Sequence, residues 1–473
     1  MKMGKAALLA ICASLTLFIL VPACGSDGAD LSGSGRGGSG APSAGLGSGS
    51  PDGGEGSPVG GGASVAEAGG DGLGDAGDGA GDSDTPVEGT PEAGGSHGSA
   101  ESPQAPDGGE GGEAEPSVPV NRTGYVPVVD SPYSTVDWAA WEQCKVGLHV
   151  HTKNSDGADT LAEMIEEHYR KGYDILAITD HNFLTSDWIG DPGGLANARF
   201  GEILLGTDRG GRGMLQIPLT IEQSVHHHLN TFFTDYVNPN GPSASLEASI
   251  QAAADQGGIS HINHPGRYTG GEALWEAGEA ASNKPENIER YAAIFLENPT
   301  CVGMEIINKQ DGESYSDRIL WDNVLMRTVP EGRYVWGFSN DDAHSASAVG
   351  YSYNVMLMPA VGLDGFRAAM EGGSFYAVAR VARREQVGRG RMDSFPEPRM
   401  TSVIVDGGAG SITIGTEHVE SVEWVADGKV IHVGGTIYLY EHMDEISCYV
   451  RANLIGTNGV AFTQPFGVSF KEG

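Results

Sequence analysis

Residues 145–181 read KVGLHVHTKNSDGADTLAEMIEEHYRKGYDILAITDH, and the architecture follows from this stretch. The apolar run from Val146 to Val150 predicts a strand, and Asp174 to Thr179 predicts a second, buried one. Between them Thr160 and Glu163 have the spacing of a capping box. It opens a helix with Leu161, Met164, Ile165 and Tyr169 on one face. Strand, helix and strand in this order form the unit of a parallel sheet. His149 and His151 are two apart, so on a strand both point to the same side. Asp180 and His181 close the second strand.

The alternation continues outward. Strands are predicted over Leu215 to Glu222, Leu229 to Phe233, Ile259 to Asn263, Val302 to Asn308, Tyr334 to Ser339 and Tyr353 to Met358. Helices expected near 245–255, 317–328 and 363–371 lie between them. About seven such repeats favour an α/β fold of the (β/α) barrel kind for residues 121–399. After Met400 the apolar period changes to two, and Asp406-Gly407 and Asp427-Gly428 are hairpin signals. Residues 400–473 therefore predict a small C-terminal all-β sandwich. It carries no cluster of ligand-type residues, so its expected role is packing or docking.

The chain has 473 residues and a formal net charge of −35. Residues 25–120 hold 31 of the 73 glycines, 17 acids, one basic side chain (Arg36) and no Phe, Trp or Tyr. So few large apolar groups cannot offset the entropy of ordering, which predicts a disordered Gly/Ser/Asp-rich linker. The glycines keep no three-residue period, which excludes collagen. The linker carries −16 and residues 1–24 carry +2, which leaves −21 on residues 121–473. That charge repels long nucleic acid and suits a small-molecule substrate.

Lys2 and Lys5 precede an apolar run from Ala6 to Leu20. The run is shorter than the roughly 20 residues of a membrane span and suits a secretory signal. It ends Leu20-Val21-Pro22-Ala23-Cys24, which resembles a bacterial lipobox. Residues 1–24 are thus expected to be a lipoprotein signal peptide, with Cys24 the lipid anchor. The expected protein is exported and lipid-anchored to the bacterial membrane, at the outer membrane or cell surface, on a flexible tether. Cys144, Cys301 and Cys448 leave either one disulfide or buried thiols open. No Cys-x-x-Cys marks a thiolate zinc or redox site.

Ligand-type side chains recur where the predicted strands end. They are His149 and His151, Asp180 and His181, Glu222 followed by His226, His227 and His228, His261 and His264, and Asp341, Asp342 and His344. In a (β/α) barrel such ends converge on one mouth. Ionisable groups buried there without a shared ion would be costly. Imidazole and carboxylate together suit Zn, Mn or Fe. Such an ion lowers the pKa of bound water to about 7 and makes a nucleophile. Glu222 is the best placed carboxylate to bridge two metals. His261 breaks the parity of His264 and reads as a core histidine. Asp180 reads as an orienting group, and Asp342 rather than Asp341 shares a strand face with His344.

The order and spacing of these motifs resemble the PHP family (polymerase and histidinol phosphatase). His149-Val150-His151-Thr152, Ser155-Asp156-Gly157 and Ile178-Thr179-Asp180-His181 look like its first two motifs. Glu222, His228 before Leu229-Asn230, Asn263-His264-Pro265 and Asp342-Ala343-His344 follow in order, so the resemblance covers residues 145–380. It implies a distorted (β/α)7, TIM-like barrel, two or three divalent metals and hydrolysis of phosphate esters by a metal-bound hydroxide. By that likeness His149, His151 and Asp342 hold one metal and His228 and His264 a second, with Glu222 between them. His181, His344 and Asp156 hold a third, although some members have a histidine where Asp156 stands. His181 or His344 assists catalysis if the third metal is absent. Arg267, after His264-Pro265-Gly266, is the candidate partner of a substrate phosphate.

Tyr449-Val450-Arg451-Ala452 and Thr463-Gln464-Pro465-Phe466 also resemble the β-extension of a family branch that includes carbamate-ester hydrolases. The leading expectation is a metal-dependent phosphoesterase acting on a small phosphoester, a nucleotide or a short oligonucleotide. A carbamate or amide-ester metallohydrolase is the second reading. A catalytically silent metal-binding surface module is the third.

Overall fold

The Thr160 capping box forms as its spacing requires. The Glu163 carboxylate accepts the Thr160 N–H at 2.8 Å, and the Thr160 hydroxyl accepts the Glu163 N–H at 3.3 Å. The helix Leu161–Arg170 then buries Leu161, Met164, Ile165 and Tyr169. This computed structural model describes residues 121, 123–239, 244–270, 275–312, 314–386 and 396–473. The expected leader, Cys24 and the linker over 25–120 lie outside the described residues. Among the described residues no helix is long and apolar enough to cross a membrane.

The protein mixes helices with several sheets. Glu142–Gly147 pairs in parallel with Ile175–Leu176, which pairs in parallel with Leu215–Gln216. Beyond Leu176 the contact thins to single hydrogen bonds, such as Thr179 N–H to the Val150 carbonyl at 2.8 Å. The strand expected over Leu215 to Glu222 is broken in two. Pro218 brings no N–H to a ladder, and Leu219 takes a left-handed φ of 55°. The second piece, Thr220–Gln223, starts a separate five-stranded sheet with Leu229–Phe232, Ile259–Ile262, Cys301–Asn308 and Trp336–Asn340.

The expected closed ring of parallel strands is therefore not what forms. Only residues 224–228 join Thr220–Gln223 to Leu229–Phe232, too few for a parallel crossover, so this pair is antiparallel. Leu229–Phe232 also pairs antiparallel with Ile259–Ile262, and only the later strands run parallel. Isolated bridges link the two sheets, His181 to Glu222, Thr185 to Thr220 and Val150 to Ala343. The first and the last fall on the expected ligand residues or their neighbours.

The segment after residue 400 is antiparallel, as its period predicts, but it does not close on itself. Arg399–Asp406, Ser411–Glu417 and Thr436–Tyr438 form their own three-stranded sheet. Tyr449–Gly456 and Gly459–Phe462 instead extend the large sheet. Gly459–Phe462 pairs with Phe375–Ala379, which pairs with Ser352–Met358 and so with Glu142–Gly147. Tyr125–Asp130 lies antiparallel to Phe466–Glu472 at one edge. Cys144, Cys301 and Cys448 are buried free thiols.

Candidate metal centre

His149 and His151 flank Val150 at the bridge to Ala343, and His151 N–H bonds the Ala343 carbonyl at 2.9 Å. Both imidazoles reach Asp342 Oδ1 through Nε2, His149 at 3.3 Å and His151 at 3.1 Å. Glu222 is fully buried at the other bridge. Its Oε1 lies 3.1 Å from His149 Nε2, 3.1 Å from His228 Nδ1 and 3.8 Å from His264 Nε2. Its Oε2 lies 2.6 Å from His181 Nδ1 and 3.6 Å from His151 Nε2. Asp156, on the loop after His151, sits 3.5 Å from His181 Nε2 and 3.3 Å from His344 Nε2.

All nine expected ligand residues thus meet. They form four overlapping sets whose ligand atoms lie within 4.8 Å of one another. His149, His151 and Asp342 make one, and His151, Asp156, His181 and His344 another. His228 and His264 do share Glu222, but His228 groups with His181 and His264 groups with His149. His227 stacks on Tyr268 with ring centroids 4.4 Å apart, outside these sets.

The loop that delivers Asp156 is held by Asp180. Its carboxylate accepts the Thr152 N–H at 2.6 Å, the Thr152 hydroxyl at 2.7 Å and the Ser155 hydroxyl at 2.6 Å. Gly157 lets the loop fold back, since a Cβ there would lie 2.8 Å from the His151 backbone. Asp341 turns away and accepts N–H groups of Tyr351 and Ser352. His261 stacks on Phe338 in the core. His264 and Asp342 take left-handed φ values of 25° and 46°, a strained backbone that marks sites held in place by their surroundings.

A divalent cation fits this donor set. Seven buried ligand atoms lack a hydrogen bond: both ring nitrogens of His151 and of His264, Nδ1 of His181 and His228, and Oε2 of Glu222. His181 Nδ1 and Glu222 Oε2 are 2.6 Å apart, yet neither makes a hydrogen bond of proper geometry. Such atoms would each be costly to bury without a partner, and an ion supplies one to several at once. Oxygen and nitrogen donors without thiolate suit Zn, Mn or Fe.

The charges agree. Burial alone would lift the Glu222 carboxyl, but His228, His149 and His181 hold it well below the usual carboxylate range. Burial likewise opposes ionisation of Asp342, and His149, His151 and Lys309 hold its pKa down. Burial would lower the His181 pKa, but Asp156 and Glu222 push it up to about 10.

Two neighbours escaped the sequence reading. Asn263 donates to Glu222 Oε1 at 2.6 Å and to Asn230 at 3.0 Å, which fixes the Glu222 carboxylate. Lys309, at the end of Cys301–Asn308 and with a left-handed φ of 55°, brings Nζ to 3.7 Å from Asp342 Oδ2. Its place directly after the predicted strand Val302 to Asn308 was the one signal the sequence offered for Lys309. Arg267 is exposed on the 3-10 turn Pro265–Tyr268, directly after His264.

Residues 147–239 match the family model described as the PHP domain. No curated protein matches the chain. One solved structure is a two-domain protein from Bacteroides vulgatus containing a predicted PHP-like metal-dependent phosphoesterase. It is 18% identical, covers 72% of this chain and 89% of its own, and gives a TM-score of 0.37. An amidohydrolase from Chromobacterium violaceum is 17% identical over 42% of this chain and 87% of its own, with a TM-score of 0.27. A lesion-specific endonuclease from Pyrococcus furiosus is 16% identical over 49% of this chain and 56% of its own, with a TM-score of 0.29. At these TM-scores the functional reading rests on the domain match and the side chains of the site.

Proposed function

From the premise that this chain carries a PHP domain and is a metal-dependent hydrolase, we propose that it hydrolyses small phosphoesters, nucleotides or short oligonucleotides among them. We place it on a bacterial membrane surface, tethered through Cys24. The ligand cluster lies at the bridges between the two sheets, where the mouth of a closed barrel would be.

His149, His151, Asp342, Glu222, His228 and His264 would hold two ions, and Asp156, His181 and His344 a third with His151. When bound, such ions supply Lewis acidity and bring the pKa of coordinated water to about 7. The rest is done by the chain. Glu222, kept ionised by its histidines, balances the cationic charge between the sets. His344 donates Nδ1–H to the Asp342 carbonyl at 2.9 Å, which leaves Nε2 to face Asp156. Where the third ion is absent, His181 or His344, 23% and 28% exposed, is placed to give a proton to a departing oxygen.

Lys309 carries the phosphoester reading. It sets a cation 3.7 Å from a ligand carboxylate, 37% exposed, where a substrate anion would meet it. Arg267, exposed on the turn after His264, is proposed as a second cation for the substrate anion. A carbamate or amide ester is neutral there and has no use for either, which ranks that reading second. The −21 charge of residues 121–473 supports a small substrate over polymeric nucleic acid.

The test is to purify the full chain, measure bound metal by mass spectrometry, and assay phosphomonoesters, phosphodiesters and carbamate esters with and without chelator. The expected result is at least one ion per chain and chelator-sensitive phosphoester turnover. Carbamate turnover without phosphoester turnover would overturn the substrate. Palmitate labelling that survives Cys24→Ser would overturn the anchor.

A further inference from the structure

Glu305 lies in the middle of the apolar strand Cys301–Asn308 and is fully buried. It belongs to none of the ligand sets. Its carboxylate is instead saturated by four hydrogen bonds. Oε1 receives His149 Nδ1 at 2.8 Å and Asn340 Nδ2 at 2.8 Å. Oε2 receives the backbone N–H of His264 at 2.8 Å and Asn308 Nδ2 at 2.9 Å. Asn308 Nδ2 in turn lies 3.3 Å from Asp342 Oδ2.

We propose that Glu305 is a positioning residue that prepares two ion sites at once. A carboxylate bonded to Nδ1 makes that nitrogen the protonated one. The lone pair of His149 is thereby committed to Nε2, the atom that lies 3.1 Å from Glu222 and 3.3 Å from Asp342. The second oxygen pins the amide of His264, whose left-handed φ of 25° needs an external hold. Through Asn308 the same carboxylate reaches Asp342. One residue that touches neither ion nor substrate thus sets the ring orientation of His149, the backbone of His264 and the setting of Asp342. These three span the His149, His151, Asp342 set and the His149, Glu222, His264 set.

The inference rests on metal dependence and is independent of the substrate. The test is Glu305→Gln in the full chain, read by competition of Zn²⁺ or Mn²⁺ binding against a chelating dye. The expected loss of ion affinity is about 10–100-fold, the range for hydrogen-bonding partners of metal-ligating histidines, with the circular dichroism spectrum unchanged. Asp322→Asn serves as the comparison. It weakens a buried ion pair remote from the ligands and should lower the thermal midpoint without moving ion affinity. Unchanged affinity in Glu305→Gln overturns the proposal. If Glu305→Gln does not fold, the zinc-loaded wild type decides through ¹⁵N-histidine spectra. A protonated Nδ1 on His149 is expected, and a protonated Nε2 overturns the proposal.

Discussion

Asp322, on the helix Asp317–Thr328, and Arg451, on the strand Tyr449–Gly456, meet through two bonds of 2.7 Å each. Tyr449 donates a third bond to Asp322 at 2.8 Å, and Asn453 takes another guanidinium N–H at 2.7 Å. Both charges are nearly fully buried, and neither residue is left with an unpaired polar atom. Around Glu222 the density of charge is similar and the plan is the opposite. Imidazoles and carboxylates crowd to between 2.6 and 3.8 Å, while seven of their nitrogens and oxygens lack proper hydrogen bonds. The first region is complete as a fold element. The second is complete only with cations, and this contrast identifies it as a functional site better than any single residue does.

The largest expected effect breaks the unfinished region. Glu222→Gln removes the carboxylate common to two of the ligand sets. Turnover should fall by more than about 100-fold, beyond the range for partners that only hydrogen-bond a ligand. Steady-state kinetics with mass-spectrometric metal analysis checks this, and the Asp322 pair should be untouched. The complementary break is Asp322→Ala, which strands Arg451 in the interior. Removing one partner of a buried pair costs about 3–5 kcal/mol, so urea unfolding should show that loss while ion affinity stays the same.

Eight of the nine ligand positions were legible because they lie at or just beyond the ends of predicted strands, and because His149 and His151 obey strand parity, whereas Asp156, on a loop, came from the family resemblance. Their convergence was expected from the barrel reading, and their grouping around ions from the family resemblance. Glu305 was missed although it left a trace: a single acid within CVGMEIIN, a run otherwise fit for a buried strand. Burying that charge demands partners, which the reading did not ask for. The split between sheets was not legible, because Pro218-Leu219 and the five-residue link 224–228 act through pairing geometry and not composition. The destination of the strands after residue 400 was equally hidden. Their alternation shows that they are strands but not which edge they join.

Two smaller effects sharpen the contrast. Lys309→Ala should raise KM for an anionic substrate by about 10–100-fold, the equivalent of one charge-assisted hydrogen bond, with ion content unchanged. A KM that does not move would remove the support for a phosphoester. The last effect is on pH. His181, pushed up to about 10 by Asp156 and Glu222 against the opposing effect of burial, holds a proton at neutral pH when no ion is bound. Ion uptake must displace that proton, so apparent ion affinity should fall as pH falls, by up to about tenfold per pH unit for each displaced proton. Calorimetry in buffers of different ionisation enthalpy would detect the release, whereas the Asp322–Arg451 pair should show none.

The pairing of Gly459–Phe462 with Phe375–Ala379, and of Tyr125–Asp130 with Phe466–Glu472, also governs when the site can exist. Contacts between residues so far apart in sequence are the slow ones to form, because loop closure has to come before any gain. The sheet that carries Glu142–Gly147 towards His149 stays open at its edge until residues 459–472 have been delivered. A ribosome still holding the chain therefore handles ligands that do not yet face one another. Loading with metal belongs to the completed chain.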